Sequence, residues 1–216
     1  MDRISQLCKY LDSCKTFADI ACDHGYCAEY MLKNGLCESA VISDISAKSL
    51  SKAEKLLSGF IENGKCRSVV CDGLEKIDCS TEQILIAGIG GEEIVKILQN
   101  AYIPKTFVFQ PMKNAESLRA YLLRNECEIL QDDIFTDGRN YYFIIKGRRG
   151  SVKVNYNEAQ LAYGKDSLKN PVLKEYLQTE LEKKLNYLTR EMADNSRAEL
   201  LKNVRFIEGV LNGDCN

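Results

Sequence analysis

The sequence predicts an α/β protein: a doubly wound, mostly parallel sheet with a closing antiparallel β-hairpin, followed by a small α-helical hairpin at the C-terminal end. Three observations predict it. Short apolar runs alternate with helical patterns, and each run stops at an acidic residue, a glycine or a Gln-Pro pair. Two further extended segments, 127–135 and 141–146, are linked by Asp137-Gly138 as a hairpin. Beyond residue 150 the strand signals end and leucines recur at steps of three or four. Two domains follow from this, 1–150 and 151–216.

Ile4, Leu7, Cys8 and Leu11 recur at helical spacing, so an amphipathic helix covers the sheet before the first strand. The strand comes within residues 17–26, an apolar run that stops at small and acidic residues. A short helix over 27–34 is closed by Gly35, and residues 40–44 form the second strand. Ser46 caps one long helix through Leu50, Ala53, Leu56, Leu57 and Phe60, and Asn63-Gly64 turns into strand three at 68–71. Residues 83–87 are strand four, followed by the glycine turn 88–91 and a helix over 92–99. Strand five spans 106–109, and a helix over 115–125 leads to the hairpin. Asn170-Pro171 starts a helix whose seam is Leu173, Leu177, Leu181, Leu185, Leu188 and Met192. A break at Asp194-Asn195-Ser196 precedes a second seam of Leu200, Val204, Ile207 and Leu211, so the two helices pack as an antiparallel hairpin beside the sheet.

A hydrophobic content of 45% can build a sizeable core, and a formal charge of −2 excludes a dominant basic face. Any nucleic-acid partner is therefore held by a local patch. The ten cysteines include no Cys-x-x-Cys pair, and there is one histidine, so no metal site is expected. The thiols read as small buried hydrophobes in a reducing cytoplasm, with no secretory signal and no membrane span.

The chemistry gathers at the strand ends. A doubly wound sheet brings Asp19 to Gly25, Asp44, Asp72-Gly73 and Ala87 to Gly91 to one crevice, although each alone is an ordinary cap or turn. The first turn lacks Gly-x-Gly-x-x-Gly and carries Asp19 and Asp23, which disfavour a phosphate and suit an uncharged or cationic ligand. S-adenosylmethionine fits, with a sulfonium, an amino group and a ribose diol. Asp44 stands where this architecture binds ribose hydroxyls. His24 either touches ligand or fills space and caps a helix. Arg148-Arg149 with Lys146 forms either a solvated run or a phosphate-binding patch.

Four stretches together carry a family resemblance: residues 18–26, Asp72-Gly73-Leu74, residues 86–91 (Ile-Ala-Gly-Ile-Gly-Gly), and Gln110-Pro111. The chain resembles the bacterial tRNA adenine-22 N1-methyltransferases (TrmK type), with Arg3-Ile4 matching their opening helix and Ala162-Tyr163-Gly164 their C-terminal domain. The resemblance implies a Rossmann-like class I methyltransferase domain, a coiled-coil C-terminal domain, S-adenosylmethionine as cofactor and tRNA as partner. It implies that Asp19, Asp23 and His24 frame the methionyl end and that Asp44 binds the ribose hydroxyls, with Ala21, Cys22 and Ile45 as further cofactor contacts. Asp72 would accept a hydrogen bond from the adenine amino group, Ala87 to Gly91 would floor the target base, and Gly73, Ala87, Gly88, Gly90 and Gly91 would also contact the cofactor. His24, Tyr26 and Gln110 are the candidate catalytic residues, Tyr26 as a stacking partner.

The chain departs from that family at Ala21 (Gly), Cys22 (Ser), Gly25 (Ala), Asp44 (Glu), Ile89 (Met) and Met112 (Asn). Met112 and the acidic pI of about 5.7 favour a small-molecule acceptor as the alternative, and Ala21 favours a non-catalytic binding member. For the C-terminal helices the alternative to gripping tRNA is weak self-association.

Overall fold

The computed structural model describes residues 2–150 and 154–213. The helices are α1 (Arg3–Cys8), α2 (Tyr26–Lys33), α3 (Ala47–Leu56), α4 (Ser58–Glu62), α5 (Gly91–Asn100), α6 (Ala115–Arg124), α7 (Glu158–Tyr163), α8 (Pro171–Leu188) and α9 (Asp194–Asn212). The strands are β1 (Cys14–Ile20), β2 (Cys37–Asp44), β3 (Cys66–Val70), β4 (Gln83–Ala87), β5 (Thr106–Gln110), β6 (Cys127–Thr136) and β7 (Tyr141–Arg149). They form one mixed, Rossmann-like sheet in the order β3-β2-β1-β4-β5-β7-β6. β1 to β5 pair in parallel, whereas β7 runs antiparallel to both β5 and β6.

Side chains alternate between the two faces of the sheet. Phe17, Ile42, Leu85 and Val108 pack with Leu7, Met31, Leu50 and Ala53 on one face. Ala18, Ile84, Ile86, Phe107 and Phe109 pack with Ile94, Leu98, Leu118 and Leu122 on the other. Burial on both faces explains why the central strands read as continuous apolar runs. Successive strands depart in opposite directions from β1 and β4, so their carboxyl ends open a crevice there.

Two helical expectations need correction. The long helix after Ser46 is broken at Leu57, which leaves helical geometry (φ −100°, ψ 11°) between α3 and α4. Ser58 and Gly59 permit the kink, and it keeps Leu57 wholly buried. In the C-terminal third, α8 stops at Leu188 and α9 already begins at Asp194, so the break covers 189–193 and Met192 lies outside both helices. An acidic residue in the first turn of a helix complements its dipole, which favours Asp194 inside α9.

The C-terminal segment packs on the β6 side of the sheet. Ile134 joins Leu173 and Leu177 of α8 and Ile207 of α9 in one cluster. Buried Arg119 of α6 holds Asp132 of β6 through Nε at 2.8 Å, and its Nη1 donates to the carbonyls of Leu161 and Ala162. Asn170 caps α8 and also donates to Asp133 and Ile134. The boundary expected at 150/151 touches residues 151–153, outside the described residues.

Candidate active site

The turn after β1 is built from unusual backbone. Ala21 (φ 55°) and Asp23 (φ 44°) both take left-handed conformations, which L residues adopt at a cost. The Cys22 amide donates to the Ser43 carbonyl (3.1 Å) and the Asp23 amide to Asp44 Oδ2 (3.3 Å), tying the turn to the end of β2. Gly25 (φ 73°) then opens α2, and a Cβ there would stand 2.9 Å from Ala53 Cβ, so α3 can approach only a glycine. Ala21 thus adopts the conformation a glycine would, and the turn is intact despite the substitution.

Two adjoining cavities open at this edge. One, of about 340 Å³, is lined by Ala21, Asp44, Ile45, Asp72, Gly73 and Ile89, among others. The second, of about 490 Å³, includes Arg3, Asp19, Cys22, Asp23, His24 and Tyr26, with Ala87 and Gly88. Ala21, Asp44, Ile45 and Ile89 line both, so the two form one elongated groove. Its combined size suits a ligand of nucleoside-plus-amino-acid dimensions.

Asp19 is buried and its Oδ2 accepts from the Ala28 amide at 3.2 Å. Burial pushes its carboxyl up to about 7; the Ala28 bond and Arg3 pull the other way. Asp44 accepts the Ser46 amide on Oδ1 (2.8 Å) and the Asp23 amide on Oδ2, yet a carboxylate keeps further lone pairs for a ligand. Asp23 pairs with Lys52 at 2.9 Å. His24 Nε2 stands 3.5 Å from Asp23 Oδ2, and its ring stacks on Tyr26 at 5.2 Å and 9°. Tyr26 keeps one side open, at 45% exposure. Burial, then Asp19 and Asp44, raises the Cys22 thiol, which leaves it neutral and poorly nucleophilic. Among the described residues no group of three or more His, Cys, Asp or Glu could hold a metal, and no helix is long and apolar enough to cross a membrane.

The structure does not bring every expected residue to the groove. Gly90 caps α5, donating to Glu93 Oε2, and the Gly91 amide donates to the Lys113 carbonyl; neither lines a cavity. Gln110 is wholly buried behind Gly88, accepting from Arg3 Nε (2.8 Å) and donating to the Pro111 carbonyl. Its Nε2 also lies 3.6 Å from Met112 Sδ, so Met112 partners the amide it flanks. Lys146 pairs with Asp12 and Arg148 with Glu128, which removes most of the expected phosphate patch. Arg3, Glu93, Lys96 and Ile97 line the cavities without having been singled out as ligand contacts. Arg3 had a signal: it lies four residues before Leu7, on the face of α1 that the core covers.

The groove chemistry fits S-adenosylmethionine. Six carboxylates line it (Asp19, Asp23, Asp44, Asp72, Glu75 and Glu93) against two cations (Arg3 and Lys96), so cationic and diol groups are accommodated and a diphosphate is repelled.

The family described as "Methyltransferase domain" matches residues 1–145. A putative tRNA methyltransferase of Mycoplasma pneumoniae is 32% identical over 152 residues, covering 69% of this chain and 71% of its own length. M. capricolum TrmK, solved with S-adenosylhomocysteine, superposes with a TM-score of 0.88 at 21% identity, covering 98% of this chain and 97% of that one. A Streptococcus pneumoniae protein described as a putative tRNA (m1A22) methyltransferase, solved with S-adenosylmethionine, gives 0.84 at 22%, covering 97% and 98%. Those two likenesses establish the fold along nearly the whole chain. The chain belongs to the methyltransferase-domain family, as a relative of the putative tRNA methyltransferase of M. pneumoniae.

Proposed function

We propose that this chain transfers a methyl group from S-adenosylmethionine to N1 of adenine 22 in tRNA, as the names of its relatives suggest. The observation that carries the reading is the elongated acidic groove at the crossover of the sheet, with an exposed stacked Tyr26 at its mouth. Asp44 and Ile45, with Asp72 and Gly73 beyond them, would hold the adenosine half, and Asp19, Ala21, Cys22, Asp23 and His24 the methionyl half. Ala87 and Gly88 would floor the target base, with Gly90 and Gly91 fixing that turn from behind. Gln110 supports the floor from the core.

The cofactor supplies a sulfonium-activated methyl group. Adenine N1 offers a lone pair at neutral pH, so the chain need not remove a proton before attack. Its tasks are to align N1 with the methyl carbon and to exclude water. Tyr26, backed by the His24 ring, presents a face on which a flipped adenine can stack. The methylated ring is cationic, and Asp23 beside His24 stabilises the charge that develops. The domain expected over 1–150 would perform this chemistry, and in the domain expected over 151–216 helices α8 and α9 would act as a hairpin of coiled-coil type that grips tRNA. Leu185 and Leu201, exposed on its helices, are where a second copy would pack. The described cysteines are all free, which suits a reducing cytoplasm.

The test is transfer of labelled methyl to unmodified bulk tRNA, with nucleosides separated by mass spectrometry. The expected product is 1-methyladenosine mapping to position 22. Confirmed cofactor binding without any methylated nucleoside would overturn the proposal.

A further inference from the structure

We infer that Tyr30 stacks on a nucleobase flanking the target adenine, so that α2 holds two bases of the RNA one helical turn apart; the inference rests on tRNA being the acceptor. Tyr26 and Tyr30 stand four residues apart on α2 and therefore on one face, about 6 Å apart along its axis. Both are exposed, at 45% and 37%. Tyr26 is backed by the His24 ring, whereas among the described residues the Tyr30 side chain makes no ring contact and no hydrogen bond. Tyr30 lines a cavity of about 480 Å³ between α1 and α2, with Ile4 and Cys8 on its apolar side. Tyr26 lines both this cavity and the groove, so the cavity is continuous with the place where the target adenine would sit.

The charges disfavour a phosphate as the occupant. Asp2 and Glu29 line the cavity against Lys33 alone, and Lys33 is already paired with Glu29 at 2.7 Å. An uncharged, flat, polarisable group suits such walls, and a nucleobase is one. Asn34 gives it a polar edge. Its Nδ2 donates to the Tyr30 carbonyl at 2.8 Å, which orients the amide, and its Oδ1 accepts no hydrogen bond among the described residues, so it can take one from a base amino or imino group. An adenine that flips out leaves its neighbours unstacked on the side it vacated, and Tyr30 supplies the face that one of them loses.

The test compares methyl transfer by wild type, Tyr30→Ala and Tyr30→Phe on three tRNAs: intact, abasic at position 21 and abasic at position 23. On intact tRNA, Tyr30→Ala is expected to lower kcat/KM by about 5- to 100-fold, chiefly through KM, and Tyr30→Phe, which keeps the ring, by less than about twofold. On one of the two abasic tRNAs the Tyr30→Ala defect should shrink to less than about twofold, because the base it would stack on is gone. An equal defect on all three substrates would overturn the inference. So would a loss of S-adenosylhomocysteine affinity in Tyr30→Ala by calorimetry, which would make Tyr30 a support of the cofactor groove. A wild-type dimer in analytical ultracentrifugation that Tyr30→Ala dissolves would overturn it in favour of a second copy of the chain. A wild-type chain that binds S-adenosylhomocysteine but methylates no tRNA would overturn the proposed function, and this inference with it.

Discussion

At the scale of single residues, Asp19 is the side chain whose environment is most at odds with its charge. Its ordinary value is 3.8 and in the fold it rises to about 7, because burial outweighs the Ala28 amide and Arg3, while Asp44 adds repulsion. Between those values the folded chain holds a proton that the unfolded chain has lost. Stability from this group is therefore complete below about pH 4 and is lost as pH rises towards 7. The ceiling of the effect is about 4 kcal/mol, three pKa units. Asp19→Asn removes the titration, so in urea unfolding without ligand its stability relative to wild type should climb from pH 4 to 7 and then level. A difference that stays flat across that range would show that Asp19 is ionised throughout. Asp19 was legible in the sequence as a strand-end carboxylate. Its burial was not, since nothing local says that α1 and α2 close over it.

At the scale of elements, the turn from β1 into α2 fixes the site through backbone conformation as well as through the carboxylates of Asp19 and Asp44 that accept its amides. Gly25 shows how tightly: it combines a left-handed φ of 73° with a neighbour 2.9 Å from any Cβ. Gly35, at the other end of α2, has a φ of 63° and nothing within 4 Å. Gly35→Ala should therefore cost only the conformational term of about 1 kcal/mol, and Gly25→Ala about 2 to 3 kcal/mol as α3 is displaced. Denaturant midpoints check the pair, and equal losses would mean that α3 yields without strain. The strand ends were readable because buried parallel strands are apolar runs that stop abruptly. Helix ends inside continuing leucine patterns were not. Leu56 and Leu57 keep the helical period across a kink, and Leu188 and Met192 keep it across the end of α8. Periodicity records which face is apolar and is silent about where the backbone bends.

At the scale of the whole molecule, the C-terminal helices are anchored at one end and free at the other. The anchor is the cluster of Ile134, Leu173, Leu177 and Ile207, reinforced by the buried Arg119–Asp132 pair. That pair was illegible in the sequence, because no local pattern links Arg119 to Asp132 or signals the burial of either. It is buried because the carbonyls of Leu161 and Ala162 arrive from 42 and 43 residues away. From Leu177 to the end of α8 the helix extends about 16 Å, so the 189–193 connection projects beyond the anchor. There Arg190 stacks over Tyr187 at 5.0 Å and Arg197 donates to the Arg190 carbonyl. Neither arginine has an acidic partner among the salt bridges of the described residues. On a chain of net charge −2, such unneutralised cations are where phosphates would be held. The double variant Arg190→Gln/Arg197→Gln should weaken tRNA binding and flatten the plot of log affinity against log salt by about two units of slope. Cofactor affinity should not change, because neither residue lines the groove. A salt slope equal to wild type would remove the tip from the RNA interface. The grip would then have to come from cations nearer the sheet, where Lys146 and Arg148 are already paired with carboxylates.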